Sequence, residues 1–294
     1  MAKKTFLTAL FICMAVLGAE AQKNNVYKTD TIVDEKGNTI VNVYRLKNLA
    51  EGNGNVVTQD FEVTEFEEIS MILPATVNYT VADDYSCRVT LDENLFDYLD
   101  IYSKGGCLRL DMVKTLQQTN LMPTKFVIEI SAPTIAEITL TGSGDFCFVT
   151  PFEARKLKIT RAGSGEVYFK EKTNIRSFSM SIAGSGKLIC KDFHVDYTNV
   201  SIAGSGEFVS EHLYADQANL SVAGSGGIVV EAGTVNNANV SVAGSGSIET
   251  RCQIESMDYS IAGSGTIEYS GDVKVKGSTM GTGRIRRIDS KNIK

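Results

Sequence analysis

Both histidines of the chain and a set of acids fall within one short stretch: Asp192, His194 and Asp196, then Glu211, His212 and Asp216. Paired carboxylates are what glycoside hydrolysis needs, one to protonate the leaving oxygen and one to act as base or nucleophile. These acids lie in adjacent repeats of the chain, so a polysaccharide-active enzyme is one reading. The plain alternative is a solvated acidic rim, and it is the reading taken here; no catalytic residue is assigned. The chain has no tryptophan, the side chain best suited to stacking on sugars, although 11 tyrosines could serve in part.

A second set with chemical potential is the Gly-x-Gly series. The tripeptides begin at Gly142, Gly163, Gly184, Gly204, Gly224, Gly244, Gly263 and Gly281. A phosphate-binding loop needs Lys-Ser/Thr after its glycines and then a helix. Here an apolar alternation follows instead. Calcium-binding β-rolls carry an aspartate in each glycine unit, and here serine fills the middle position. No cysteine pair has zinc-ligand spacing, and two histidines are too few for a structural zinc site. The reading is no cofactor and no metal.

What must position all these residues is a repeat. The successive glycine steps are 21, 21, 20, 20, 20, 19 and 18 residues, too short for a helical repeat and right for a coil of short strands. Counting back from the first glycine, Ile138, Ile159, Met180, Val200, Leu220, Val240 and Tyr259 form one column, and Leu140, Arg161, Ile182, Ile202, Val222, Val242 and Ile261 another. Leu157, Phe178 and Met257 share their parity, as do Phe146, Val167, Leu188, Phe208, Ile228, Ile248, Ile267 and Ile285 beyond the turn. Alternate side chains of a strand point to opposite faces, so this set points inward together. The other parity carries Ser/Thr, Ala and Asn columns. The predicted fold is all-β: a single-stranded right-handed parallel β-helix of about 20 residues per coil, right-handed because parallel crossovers are. Arg161 breaks the inward pattern. A buried lone charge is expensive, and local distortion of its coil is the preferred explanation.

The ends read differently. Lys3 and Lys4, an apolar run from Phe6 to Leu17 and Ala19-Glu20-Ala21 make a signal peptide over 1–21. Its removal would leave 27 basic and 34 acidic residues, a net charge of −7 against −6 for the whole chain. That balance argues against nucleic-acid binding. No later stretch is long and apolar enough for a membrane helix. Residues 22–50 read as a hairpin arm or cap, its strands Thr31–Val33 and Thr39–Tyr44. Residues 51–135 read as irregular coils, and 136–294 as regular ones. Cys87 and Cys107 lie one period apart and could bridge neighbouring coils. The preferred reading is that most cysteines are small buried hydrophobes.

The stretch from Gly54 through Asp60-Phe-Glu-Val-Thr-Glu-Phe-Glu-Glu-Ile69, Pro74-Ala-Thr-Val-Asn-Tyr-Thr-Val81, Gly106-Cys-Leu-Arg-Leu110 and the Ser-Ile/Val-Ala-Gly-Ser-Gly units at Ser181, Ser201, Ser221 and Ser241 resembles the putative auto-transporter adhesin, head GIN domain family, over roughly residues 55 to 285. The resemblance implies a right-handed β-helix exported to the envelope of Gram-negative bacteria. It carries over no catalytic or ligand residues. The expected function is a non-enzymatic, adhesin-like binding module acting through an extended face. Its partner would be an envelope or host glycan or protein, in the periplasm, at the outer membrane or on the cell surface. The alternatives are a periplasmic structural or assembly protein that self-associates through the Ser/Ala face, and a polysaccharide-active enzyme.

Overall fold

The computed structural model describes residues 26–33, 39–46 and 49–288; the signal peptide read at 1–21 lies outside them. The chain forms two compact units. Of the described residues, one unit holds those up to Val57 with Leu91–Tyr98 and Val113–Lys125, and the other holds Thr58–Thr90, Leu99–Met112 and those from Phe126 onward.

In the first unit Val26–Val33 pairs antiparallel with Thr39–Leu46, the hairpin that the β-prone runs predict. Leu49–Glu51 pairs parallel with Asn120–Met122. The polar anchor of this unit is Asp92, fully buried. Its carboxylate accepts from the Gly54 amide at 2.8 Å and the Thr124 amide at 2.7 Å. Burial pulls the Asp92 carboxyl upward, but the hydrogen bonds from Thr124, Gly54 and Lys125 outweigh it and hold its pKa below the ordinary value. Gly52 stands where a Cβ would fall 2.3 Å from the Asp92 carboxyl carbon, so the loop closes over the acid only without a side chain there.

The second unit is a stack of parallel coils, a β-solenoid of about eight turns. One coil shows the plan. Its segments 187–190, 192–195 and 197–204 pair in register with 207–210, 212–215 and 217–224. Lys191 and Asp196 drop out of the ladder at two corners, and Ser205-Gly206 turns the third. The inward columns are where the alternation puts them. Ile138, Ile159, Met180 and Val200 are each 0% exposed, and each such side chain contributes about 1.5–3 kcal/mol by leaving water. Toward the front of the regular array the core turns aromatic. Phe148 stacks on Phe169 at 4.2 Å, and Phe169, Phe178 and Phe193 continue the cluster.

The two glycines of each corner do different work. The first bends the chain: Gly204 has φ +119°, a conformation that side-chain-bearing residues rarely adopt. The second faces inward under the preceding coil. A Cβ on Gly206 would lie 2.7 Å from the Gly186 carbonyl oxygen and 2.7 Å from Ile182 Cγ2. The Ser205 and Glu207 amides donate to the Gly184 and Gly186 carbonyls at 2.9 and 3.0 Å, so the corners themselves are stacked.

The stretch read as irregular coils does form short strands, from Glu68–Met71 to Phe126–Ala132. They are less uniform than a set of parallel coils. Leu99–Lys104 returns antiparallel on Cys107–Met112, because the short Gly105-Gly106 turn, both glycines at positive φ, makes a hairpin rather than a crossover. Two further expectations are corrected. Arg161 does not sit in a distorted coil: its register with Leu140 and Ile182 is unbroken and it is 0% exposed. Its guanidinium lies along the glycine corner and donates from Nη2 to the Gly142 carbonyl at 2.9 Å, while Nε and Nη1 have no partner. Burial lowers its pKa from the arginine value. Cys87 and Cys107 are not bridged; all five described cysteines are free thiols. Burial pushes Cys87 and Cys252 up to about 12, which leaves them as inert hydrophobes.

Three outcomes are expected from this packing. Gly206→Ala should destabilise by about 1–3 kcal/mol in chemical denaturation, while Ser205→Ala, exposed in the same corner, should be close to neutral. Arg161→Met keeps the stem and removes the under-bonded charge, so it should stabilise by about 1 kcal/mol or more; a fall in Tm would show that the guanidinium is satisfied after all. Asp92→Asn should destabilise the first unit at pH 7. Because the folded pKa of Asp92 is depressed, its contribution is present above the ordinary carboxylate value and fades as pH falls through the folded one. The gap between variant and wild type should therefore close in acid titrations of stability.

Candidate functional site

The ladder register brings a set of polar side chains together on one outer face of the second unit. Asn174, His194, Tyr214 and Thr234 occupy successive rungs of a single outward column. Beside them, at the corner that drops out of the ladder, stand Arg176, Asp196, Asp216 and Asn236. The two columns line an open groove of about 470 Å³, whose floor is formed by Ile175, Val195 and Ala215. These floor residues are buried, so the surface a ligand would meet is largely polar. The ladder spacing makes four rungs span roughly 14 Å.

The groove is internally organised. The His194 ring stacks on the Tyr214 ring with centroids 4.5 Å apart and planes 21° from parallel. His194 Nε2 lies 2.9 Å from Asp192 Oδ1, which fixes the ring from the side away from the groove corner. Asp216 Oδ1 accepts from Asn236 Nδ2 at 3.0 Å. Arg176 and Asp196 approach to 3.8 Å across neighbouring coils. Tyr214 is 38% exposed and is flanked by donors and acceptors of both charges.

Of the residues singled out in the sequence, His194, Asp196 and Asp216 meet in this groove, and Asp192 supports His194. Glu211 and His212 do not line it. His212 follows Asp192 in its own column, paired in register with Ala232. The sequence reading missed Asn174, Arg176, Tyr214, Thr234 and Asn236. The signal for them was the period itself, since Asn174 and Tyr214 stand one coil before and after His194. Asp196 and Asp216 share a corner in adjacent coils, but Asp196 keeps 54% of its side chain exposed beside Arg176.

The Ser/Ala face forms a separate surface. Ser241 donates to Ser221 Oγ at 3.1 Å and Asn239 to Asn219 Oδ1 at 2.8 Å. Its polar atoms are thus partly occupied by the ladder itself. Among the described residues there is no group of three metal-ligating side chains and no helix long and apolar enough to cross a membrane.

Comparison with known proteins agrees with this architecture. The solved structure of a putative lipid binding protein from Parabacteroides distasonis ATCC 8503 is 32% identical, with TM-score 0.78, over 82% of this chain and 100% of that one. A putative adhesin from Parabacteroides merdae ATCC 43184 is 23% identical, with TM-score 0.74, over 82% of this chain and 99% of its own. A putative adhesin from Bacteroides fragilis NCTC 9343 is 24% identical, with TM-score 0.61, over 81% and 100%. No curated protein matches. The sequence profile described as "Putative auto-transporter adhesin, head GIN domain" matches residues 65–226 and 173–288. These two matches together span most of the chain and take in both the groove and the glycine corners, so the chain belongs to that family.

Proposed function

We propose that the protein is an exported, adhesin-like binding module of the cell envelope that holds a carbohydrate in the groove running from Asn174 to Asn236. The observation that carries this reading is the His194–Tyr214 stack set among Arg176, Asp196, Asp216 and Asn236. A flat aromatic surface takes the apolar face of a sugar ring, and the surrounding donors and acceptors take its hydroxyls. The mixed signs of the lining favour a neutral or weakly charged glycan over a polyanion. A lipid chain, suggested by the relative named a putative lipid binding protein, would need apolar walls; the apolar side chains here are buried in the floor. The exposed setting of Asp196 and its engagement with Arg176 favour binding over hydrolysis. The relatives named putative adhesins support the same class.

Glycan-array screening of the purified chain, followed by calorimetric titration of the best binder, tests this. Tyr214→Ala should weaken binding by roughly three- to tenfold, the equivalent of about 0.5–1.5 kcal/mol. Ser221→Ala, on another face, should leave it unchanged. Binding that survives Tyr214→Ala and Asp196→Asn alike would remove the groove from the account. Shortening of the bound glycan, abolished by Asp216→Asn, would replace binding with catalysis. Antibody labelling of intact cells, with a periplasmic control, locates the module on either side of the outer membrane.

A further inference from the structure

The groove leaves the far end of the stack unexplained. The last described coil consists of Lys274–Gly281 and Arg284–Ile288, which pair with Gln253–Gly263 and Thr266–Ser270 and, among the described residues, with no strand on the other side. At this step the outward and corner chemistry changes abruptly. Ser256, Asp258, Thr266, Glu268 and Tyr269 are followed in register by Lys274, Lys276, Arg284, Arg286 and Arg287. Five positions that carry no basic residue are thus followed by five that do. Arg286 pairs with Glu268, Lys274 lies 3.7 Å from Glu255 and Arg287 3.9 Å from Asp272. Lys276 and Arg284 have no ion pair among the described residues. The core is also less covered here: Thr279 is exposed where Ile261 one coil earlier is buried, and Val275 and Ile285 are only half-buried where Met257 and Ile267 are sealed.

An open strand edge presents unpaired amides and carbonyls and is a template for another polypeptide. A basic rim repels a second basic rim and so blocks tail-to-tail pairing of two copies. It fits an acidic surface, and this chain carries one at the opposite end of the same stack. There Glu62, Glu65 and Asp84 are exposed, with Glu65 and Asp84 lining one shallow hollow. The stretch containing Glu62 and Glu65 forms no strand, so its backbone is not committed to the sheet.

We propose that the basic terminal coil of one copy docks on the acidic first coils of a second copy, giving head-to-tail assemblies. A contact between two different surfaces is heterologous, so it propagates into a linear array unless a rotation closes it. The proposal is independent of the groove, which lies on the side of the stack and stays accessible in such an array.

Sedimentation velocity on the full exported chain tests it, across a concentration series at low and high salt. Wild type should form concentration-dependent oligomers at low salt that dissociate at high salt, as contacts between exposed charges do. The tail variant Lys276→Glu/Arg284→Glu and the head variant Glu62→Lys/Glu65→Lys should each sediment as monomers. An equal mixture of the two should reassociate, because each then carries the surface the other needs. Lys276→Gln/Arg284→Gln covers the case in which charge reversal disturbs folding, and should also weaken assembly; circular dichroism checks the fold of each. A wild type that stays monomeric at every concentration overturns the proposal, as does a tail variant that assembles like wild type or a mixture that does not reassociate. Binding of monomeric wild type to phosphatidylglycerol vesicles, lost in the tail variant, would overturn it in favour of an anionic lipid surface.

Discussion

Each coil lies directly on the backbone of the one before it at the glycine corner, and that contact leaves no room for a Cβ. It is the constraint on which the rest of the second unit depends. The Gly186 carbonyl that would clash with a side chain on Gly206 is also the acceptor for the Glu207 amide. Close approach and hydrogen bonding are therefore one feature. Because the same corner recurs, the phase of every strand is reset once per turn. The inward columns stay inward and the outward columns stay in line. Corner geometry is thus the reason that a groove built from four separate coils has aligned walls.

The inward columns were legible because they need only two facts, the parity of a strand and the period of the glycines. Val200 and Ile202 could be placed without coordinates, and so could the exposure of Ser205. The groove was harder to see. Asn174, Tyr214 and Thr234 are unremarkable outward residues on their own. What gathers them is the register together with the corner at Asp196, where one residue leaves the ladder and swings its neighbours to a new face. Alternation alone does not reveal such a corner. It also cannot tell a parallel crossover from a hairpin, which is why the antiparallel return of Leu99–Lys104 was read as part of a parallel coil.

Arg161 shows a different limit. Sequence logic treats a charge on the inward parity as a fault in the coil, because an unpaired buried charge is costly. In the structure the coil is intact, and the side chain reaches a carbonyl made available by the glycine corner at Gly142. The backbone, stripped of side chains at that point, offers a polar group that no residue column advertises. Part of the guanidinium remains under-bonded, so accommodation here is incomplete, and the burden falls on the packing of neighbouring coils.

The length of the laddered segments has a consequence for resistance to proteolysis. Lys187–Gly204, Glu207–Gly224 and Gly227–Gly244 run extended, with one-residue corners inside them and two-residue corners between them. A protease works on slack chain, which it finds at exposed loop tips and in locally unfolded segments. This part of the molecule has no loop to offer, and freeing a cleavable length would mean peeling a strand from neighbours on both sides. The repeat that aligns the groove therefore also shields it from cleavage.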